Sequence, residues 1–180
     1  MCSSSSNQYE ADRLEALYQY DILDTAPEPV FEELVSLASL IFQTPIALLS
    51  LIDEQRQWFK ARVGTMPAQL PREMALCTCT IEPDQVLVVS DTLADDRFFQ
   101  HPLVTVKPNI RFFASAPMLN PKGLAIGALC VMDYQPRNIA SWQIEALKLL
   151  SYQAMRQIEL RVHLLTMSQA ILNCSNVLML

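Results

Sequence analysis

The sequence predicts an α+β domain built on one antiparallel sheet. Three observations carry this: two long uncharged apolar runs separated by turn residues near position 120, shorter apolar or alternating runs earlier in the chain, and helix-period segments at both ends. The first is the most specific. Phe112 to Leu119 is aromatic and apolar, Asn120-Pro121-Lys122-Gly123 has turn chemistry, and Leu124 to Met132 is again uncharged, so the pair reads as a hairpin buried on both faces. Gly123 suits a turn position needing positive φ. Gly127, inside a strand, marks a bulge or the close approach of another backbone, a packed helix or a ligand.

The remaining elements follow in order. Residues 1–8 are Ser-rich and expected to be disordered. Tyr9, Leu14, Leu17 and Tyr18 fall near helical spacing and predict a short amphipathic helix over 9–20. After Ala26-Pro27-Glu28-Pro29, whose prolines fit only a first turn, Phe31, Leu34, Val35, Ala38, Ile41 and Phe42 form the apolar face of a second helix. Pro45 to Ile52 reads as a buried strand and Asp53-Glu54-Gln55 as a turn. Arg56 to Val63 reads as an alternating strand, with Phe59, Ala61 and Val63 on one face and Trp58, Lys60 and Arg62 on a solvated or cleft-lining face. Gly64 to Glu73, with two prolines, reads as an irregular loop, Val86 to Ser90 as a further strand, and Asp91 to Leu103 as loop and short helix. A last helix starts near Ser141 and runs beyond Thr166. Ile144, Leu147 and Leu150 face the sheet, whereas Met155, Ile158, Val162, Leu165 and Leu172 step by three and four, the spacing of a dimerising seam with Gln169 as a polar interruption.

Composition narrows the class. The 180 residues carry 13 Lys and Arg against 19 Asp and Glu, a formal charge of −6 with no basic run, which excludes the electrostatic footprint of a nucleic-acid or anionic-membrane binder. No stretch approaches the ~18 to 20 apolar residues of a membrane span. The cysteines Cys2, Cys77, Cys79, Cys130 and Cys174 are odd in number with no repeating framework, and the N-terminus lacks a signal-peptide core, so a cytoplasmic protein with reduced thiols is expected.

Arg111 to Arg137, with Phe112-Phe113-Ala114-Ser115-Ala116-Pro117-Met118-Leu119 and Leu129-Cys130-Val131-Met132-Asp133 leading to Pro136-Arg137, resembles the signature of GAF domains. The resemblance is to the subgroup at the N-terminus of bacterial sensor histidine kinases and diguanylate cyclases. Leu23 to Glu28 with Phe31, Ile46 to Asp53 with Arg56-Gln57-Trp58-Phe59-Lys60, Pro71-Arg72-Glu73 with Cys77, and Val89 to Phe98 with His101-Pro102-Leu103-Val104 match in order. It implies a central antiparallel sheet of five or six strands, N- and C-terminal helices on one face, and a loop and short-helix layer over the other, with a ligand cleft beneath that layer. The domain would span 9–161, and 162–180 would continue the signalling and dimerisation helix through Met155, Ile158, Val162 and Leu165. No output motif follows, so a kinase or cyclase partner is expected to supply catalysis. The implied function is a cytoplasmic sensory module, homodimeric as such domains commonly are, that binds a small ligand or senses redox state; the alternatives are a ligand-free docking module and a cysteine-dependent sulfoxide reductase.

The candidate site residues are Trp58, Arg72, Cys77, Cys79, Arg111 and Cys130. Cys77 and Cys79 form a Cys-x-Cys pair that Cys130 could join, giving soft donors for a metal, small core thiols, or a sensing disulfide. The subgroup pattern is Phe-Cys-x-His, so Cys79 stands where His is expected. Trp58, Arg72 and Arg111 could wall a pocket for a planar or anionic ligand, or the arginines could pair with Asp91 or Asp133. Bilin-binding relatives use a Cys on a helix before the penultimate strand; Pro102 to Arg111 has none, which argues against covalent bilin, and no other cofactor is specified. His101 and His163 lack a nucleophile partner, and Asp91, Asp95 and Asp96 read as turn chemistry, with Arg97 neutralising Asp96.

Overall fold

A computed structural model of the protein describes residues 7–80 and 86–177, the side chains of 79, 80 and 174–177 excepted. The expectation for residues 1–6 lies outside the described residues; Asn7 and Gln8 are already helical. The elements are α1 (Asn7–Gln19), α2 (Pro29–Phe42), β1 (Ile46–Ile52), β2 (Arg56–Val63), β3 (Gln69–Pro71), two 3-10 turns (Arg72–Met74 and Leu76–Thr80), β4 (Leu87–Val89), α3 (Pro102–Thr105), β5 (Phe112–Leu119), β6 (Ala125–Asp133) and α4 (Ser141–Val177). The strands form one six-stranded sheet in the order β3-β2-β1-β6-β5-β4, with antiparallel pairing throughout. Among the described residues no helix is long and apolar enough to cross a membrane.

The two innermost strands explain the two uncharged runs. Every residue of β1 and of β6 is buried, because both faces of the sheet are covered. On one side Phe31, Val35, Ala38 and Phe42 of α2 and Leu147, Leu150, Ala154, Met155 and Ile158 of α4 pack on Leu49, Leu51, Ala114 and Val131. On the other, Leu76, Phe98, Leu103, Val104 and Ile110 of the loop layer pack on Ile46, Leu48, Phe113, Ala128 and Met132.

The β5–β6 hairpin closes as its turn residues require. Asn120 Oδ1 accepts from the amides of Lys122 and Leu124, both at 2.9 Å, and Gly123 takes φ +76°. Gly127 has a different cause. A Cβ there would stand 2.0 Å from the Ser50 carbonyl oxygen and 3.0 Å from Leu51 Cα, so the close approach is that of β1.

Three expectations are corrected. The alternation of β2 is broken by a bulge: Leu49 faces Ala61 and Ser50 faces Phe59, which leaves Lys60 as the extra residue. Trp58, Lys60 and Ala61 therefore share the helix side, Phe59 lies on the loop-layer side, and the strand is covered on both sides from Gln57 to Ala61, whereas Arg62 is exposed as expected. Lys60 Nζ is buried on Thr25 Oγ1, the Ala26 carbonyl and Glu28 Oε1 at 2.7 to 2.8 Å. Secondly, the 64–73 loop contains β3, a three-residue edge strand that ends on a proline, too short to show a period. Thirdly, Met155 and Ile158 belong to the domain's own core, at 2% and 0% exposure, and do not form an external seam.

Candidate functional site

The loop-layer side of the sheet gathers polar side chains where the surrounding packing is apolar. Cys130 on β6 pairs in register with Leu48 of β1 and Ser115 of β5, and Ser50 follows Leu48 two residues on, so period-two alternation points Ser50, Ser115 and Cys130 to the same side. Gln57 on β2 lies opposite Ile52 and joins them. The 3-10 turn Leu76–Thr80 closes the cluster from above. It is anchored by Thr78, whose amide and hydroxyl both donate to the Ala75 carbonyl, and it delivers Cys77 onto Cys130. The sulfurs stand 3.3 Å apart and both are fully buried.

The surroundings are uneven. Ser50 Oγ donates to the Ala128 carbonyl at 2.9 Å, but Gln57 Nε2 and Ser115 Oγ are buried with no hydrogen-bond partner. Buried polar groups are rarely left so, because each loses its water for nothing. These donors surround Cys77. The Cys130 thiol, followed by Gln57, Ser50 and Ser115, holds Cys77 below the ordinary thiol range against the opposing effect of burial. Cys130 is driven well upward by its hydrogen bond with Cys77 and by burial. Of the two sulfurs, Cys77 therefore gives up its proton more readily than Cys130, the order that suits nucleophilic attack by Cys77.

The sequence-predicted residues separate into groups. Cys77 and Cys130 meet, whereas the Cys79 side chain lies outside the described residues. Trp58 is packed in the helix-side core. Arg72 pairs with Glu10 at 2.6 Å and donates to the Asp53 carbonyl at 3.0 Å, so its carboxylate partner is Glu10 and not Asp91 or Asp133. The Arg111 side chain reaches the Val104 carbonyl at 3.5 Å, and Asp133 pairs with Arg137. Arg97 neutralises Asp95 rather than Asp96. His101 Nδ1 accepts from the Leu103 amide as the cap of α3, and His163 is exposed. Among the described residues no three His, Cys, Asp or Glu side chains converge as a metal site.

Sequence reading missed Ser50, Ser115 and Gln57. A signal existed, namely single hydroxyls within the apolar runs Ile46–Ile52 and Phe112–Leu119, but only strand register brings them to one point. Beneath the layer Phe98 stacks edge-on against Phe113, with ring centroids 6.2 Å apart. An open groove of about 670 Å³, lined by Met66, Leu70, Leu103, Pro108 and Tyr134, lies at the edge of this side.

Comparisons with known proteins agree with this architecture. The chain is 44% identical over 119 residues to a cyclic di-GMP phosphodiesterase of Pseudomonas aeruginosa, a match that covers 66% of this chain and about a fifth (20%) of that protein. Its fold is similar to the GAF domain of an Acinetobacter phosphoenolpyruvate-protein phosphotransferase (TM-score 0.60, 18% identity, 86% of this chain and 95% of that one). It is also similar to the PixJ GAF domain of Thermosynechococcus elongatus (0.61, 16%, 94% and 98%) and to the free methionine-R-sulfoxide reductase of Neisseria meningitidis (0.60, 14%, 88% and 96%). At such identities the solved structures speak to fold alone. The family profile described as GAF domain matches residues 26–162, the whole six-stranded sheet and the seated part of α4 included, and the chain belongs to the GAF domain family.

Proposed function

We propose that this chain is the sensory module of a cytoplasmic bacterial signalling protein, taking its input on the loop-layer side of the sheet and passing it on through α4. The observation that carries this is the division of α4. Its first half is seated on the sheet by Leu147, Leu150, Ala154, Met155 and Ile158, and Ser151 Oγ donates to the carbonyls of Ala116 and Pro117 at 3.2 and 2.6 Å. Its second half exposes Leu160, Leu164, Met167 and Ile171, which step by four, three and four residues along one face. The same rigid rod touches the sheet at one end and offers a partner surface at the other.

The partner is a second copy. A parallel pair about a two-fold axis sets each of these uncharged residues beside its own equivalent with no like charges opposed. The seam accordingly uses Leu160, Leu164, Met167 and Ile171, with Val162 and Leu165 beside it, in place of Met155 and Ile158. Input alters output only if the two helix arrangements differ in their affinity for whatever acts on the sheet. The likeness to part of a cyclic di-GMP phosphodiesterase favours a nucleotide-signalling output domain, a phosphodiesterase or cyclase, over a kinase. Catalysis by this chain itself on a substrate as large as a sulfoxide amino acid is disfavoured, since both sulfurs are sealed beneath packed side chains.

Sedimentation equilibrium of the chain and of the double variant Leu164→Glu, Met167→Glu tests the reading. The expected result is a dimer that becomes a monomer in the variant, with unchanged far-ultraviolet circular dichroism. A monomeric wild type at micromolar concentration, or a variant that stays dimeric, removes it.

A further inference from the structure

We propose that Cys77 and Cys130 are a reversible dithiol–disulfide couple, oxidised by a small hydroperoxide, and that this couple is the input of the sensory module. It rests on the regulatory reading above and names the stimulus for that module.

Four facts converge on the pair. The sulfurs are already in contact at 3.3 Å, and a bond requires them to close to about 2.05 Å. They sit on elements of unlike rigidity. Cys130 is in the middle of a nine-residue strand paired on both edges, whereas Cys77 is on a five-residue 3-10 turn at the surface layer, so the turn can travel to the strand. Gln57 Nε2 and Ser115 Oγ, buried and without partners, become donors to a sulfur anion; a dithiol used only for packing has no need of them. The fourth fact is the outlet. Ser115 pairs with Cys130 across the β5–β6 ladder, and the next two residues, Ala116 and Pro117, supply the carbonyls that hold Ser151 of α4 on the opposite side of the sheet.

The chemistry balances. The Cys77 thiolate attacks one oxygen of the hydroperoxide, the O–O bond breaks, and the leaving alkoxide or hydroxide takes up the proton that Cys77 gave. Cys77 is then a sulfenic acid. Cys130 sulfur attacks the Cys77 sulfur, the S–O bond breaks, and the departing hydroxide takes the Cys130 proton as water. The two thiols lose two electrons and two protons, and the hydroperoxide is reduced to one molecule of alcohol, or of water when it is hydrogen peroxide, plus one further water. Since both sulfurs are fully buried, the oxidant reaches them when the 76–80 turn opens, which favours a hydroperoxide as small as hydrogen peroxide. A thiol reductant restores the pair by exchange.

The test uses the full chain, reduced and then exposed to hydrogen peroxide at neutral pH, unfolded, alkylated and digested, with the oligomeric state of each sample read in parallel. The expected result is a linked Cys77–Cys130 peptide lighter by two hydrogens, reversed by dithiothreitol, and formed equally in Cys79→Ser. Cys130→Ser should give no link and should leave a Cys77 sulfenic acid that dimedone traps. The proposal is overturned if both thiols stay alkylatable while peroxide is consumed elsewhere, or if Cys77 links to Cys79. Should Cys130→Ser fail to fold, the wild-type and Cys79→Ser maps still decide. A missing link in an intact dimer overturns the thiol couple alone, whereas a link in a monomeric chain overturns the relay alone.

Discussion

Arg161 Nε of α4 donates to Glu28 Oε1 at 3.0 Å, and the same oxygen receives Lys60 Nζ at 2.7 Å. Glu28 occupies the N-cap position of α2 but makes no side-chain cap there. Its carboxylate is committed instead to the buried lysine left over by the β2 bulge and to the arginine that marks where α4 leaves the domain. One acidic group therefore locks the bulge, the start of α2 and the departing helix together.

Removing that group should be costly out of proportion to its exposure. Glu28→Ala leaves the Lys60 ammonium with Thr25 Oγ1, the Ala26 carbonyl and the face of the Phe31 ring but no counter-charge, and an expected loss on the order of 3 kcal/mol follows from stranding a buried charge. Arg161→Ala, at the partly solvated edge, should cost about 1 kcal/mol or less. Urea titrations of the two variants check the ordering; equal losses would mean that Lys60 does not depend on Glu28.

Glu10 sets a pH dependence. Burial opposes its charge, but hydrogen bonds from Arg13 and Arg72, with their charges, prevail and lower its pKa from 4.5 to about 2. A carboxyl depressed in the folded state contributes stability that is present above its unfolded pKa and is lost as pH falls through the folded one. The contribution, about 2 kcal/mol after discounting for partial exposure, should therefore be intact at pH 6 and fade between about pH 5 and 2. Asp53 and Glu28 are shifted in the same direction and reinforce the slope. Stability against pH for wild type and Glu10→Gln measures it, and parallel curves would contradict it.

Gly127→Ala should destabilise the sheet by on the order of 3 kcal/mol, because the added methyl meets backbone atoms of β1 that cannot rotate away. Gly123→Ala meets nothing within 4 Å, and its penalty, about 1 kcal/mol, comes only from φ +76°. Thermal unfolding of the two variants should therefore rank them clearly.

Ser50 and Ser115 are both fully buried, yet they should respond differently. Ser50→Ala loses a hydrogen bond to the Ala128 carbonyl and should cost about 1 kcal/mol. Ser115→Ala removes a hydroxyl without a partner, so stability should stay within about 0.5 kcal/mol or rise. Its effect should appear at Cys77 instead, as a raised thiol pKa in alkylation rates against pH. A large loss of stability in Ser115→Ala would show that the hydroxyl has a structural partner after all.

Much of the fold was legible because local pattern and burial coincide. The β5–β6 hairpin announces itself through two uncharged runs and an Asn-Pro-Lys-Gly turn, and α2 through one apolar face behind a proline start. The errors arise where the same pattern has two physical realisations. Met155 and Ile158 step like a coiled-coil seam, but three-four spacing only says that one face is apolar; it does not say whether a sheet or another helix covers it. Residues of β2 after Phe59 keep their period and still change sides, because one bulged residue at Lys60 reverses the parity of everything beyond it.

By itself the sequence determined the fold class, the family resemblance, the hairpin and the two helical ends, since each depends on side-chain period, turn chemistry and composition within a short window. Only the tertiary structure decided that Cys77 meets Cys130 across 53 residues of chain, that Arg72 answers Glu10, and that Ser50, Ser115 and Gln57 share one buried point. Those contacts follow from strand order and register, which are settled by the simultaneous packing of both sheet faces and leave no trace in local spacing.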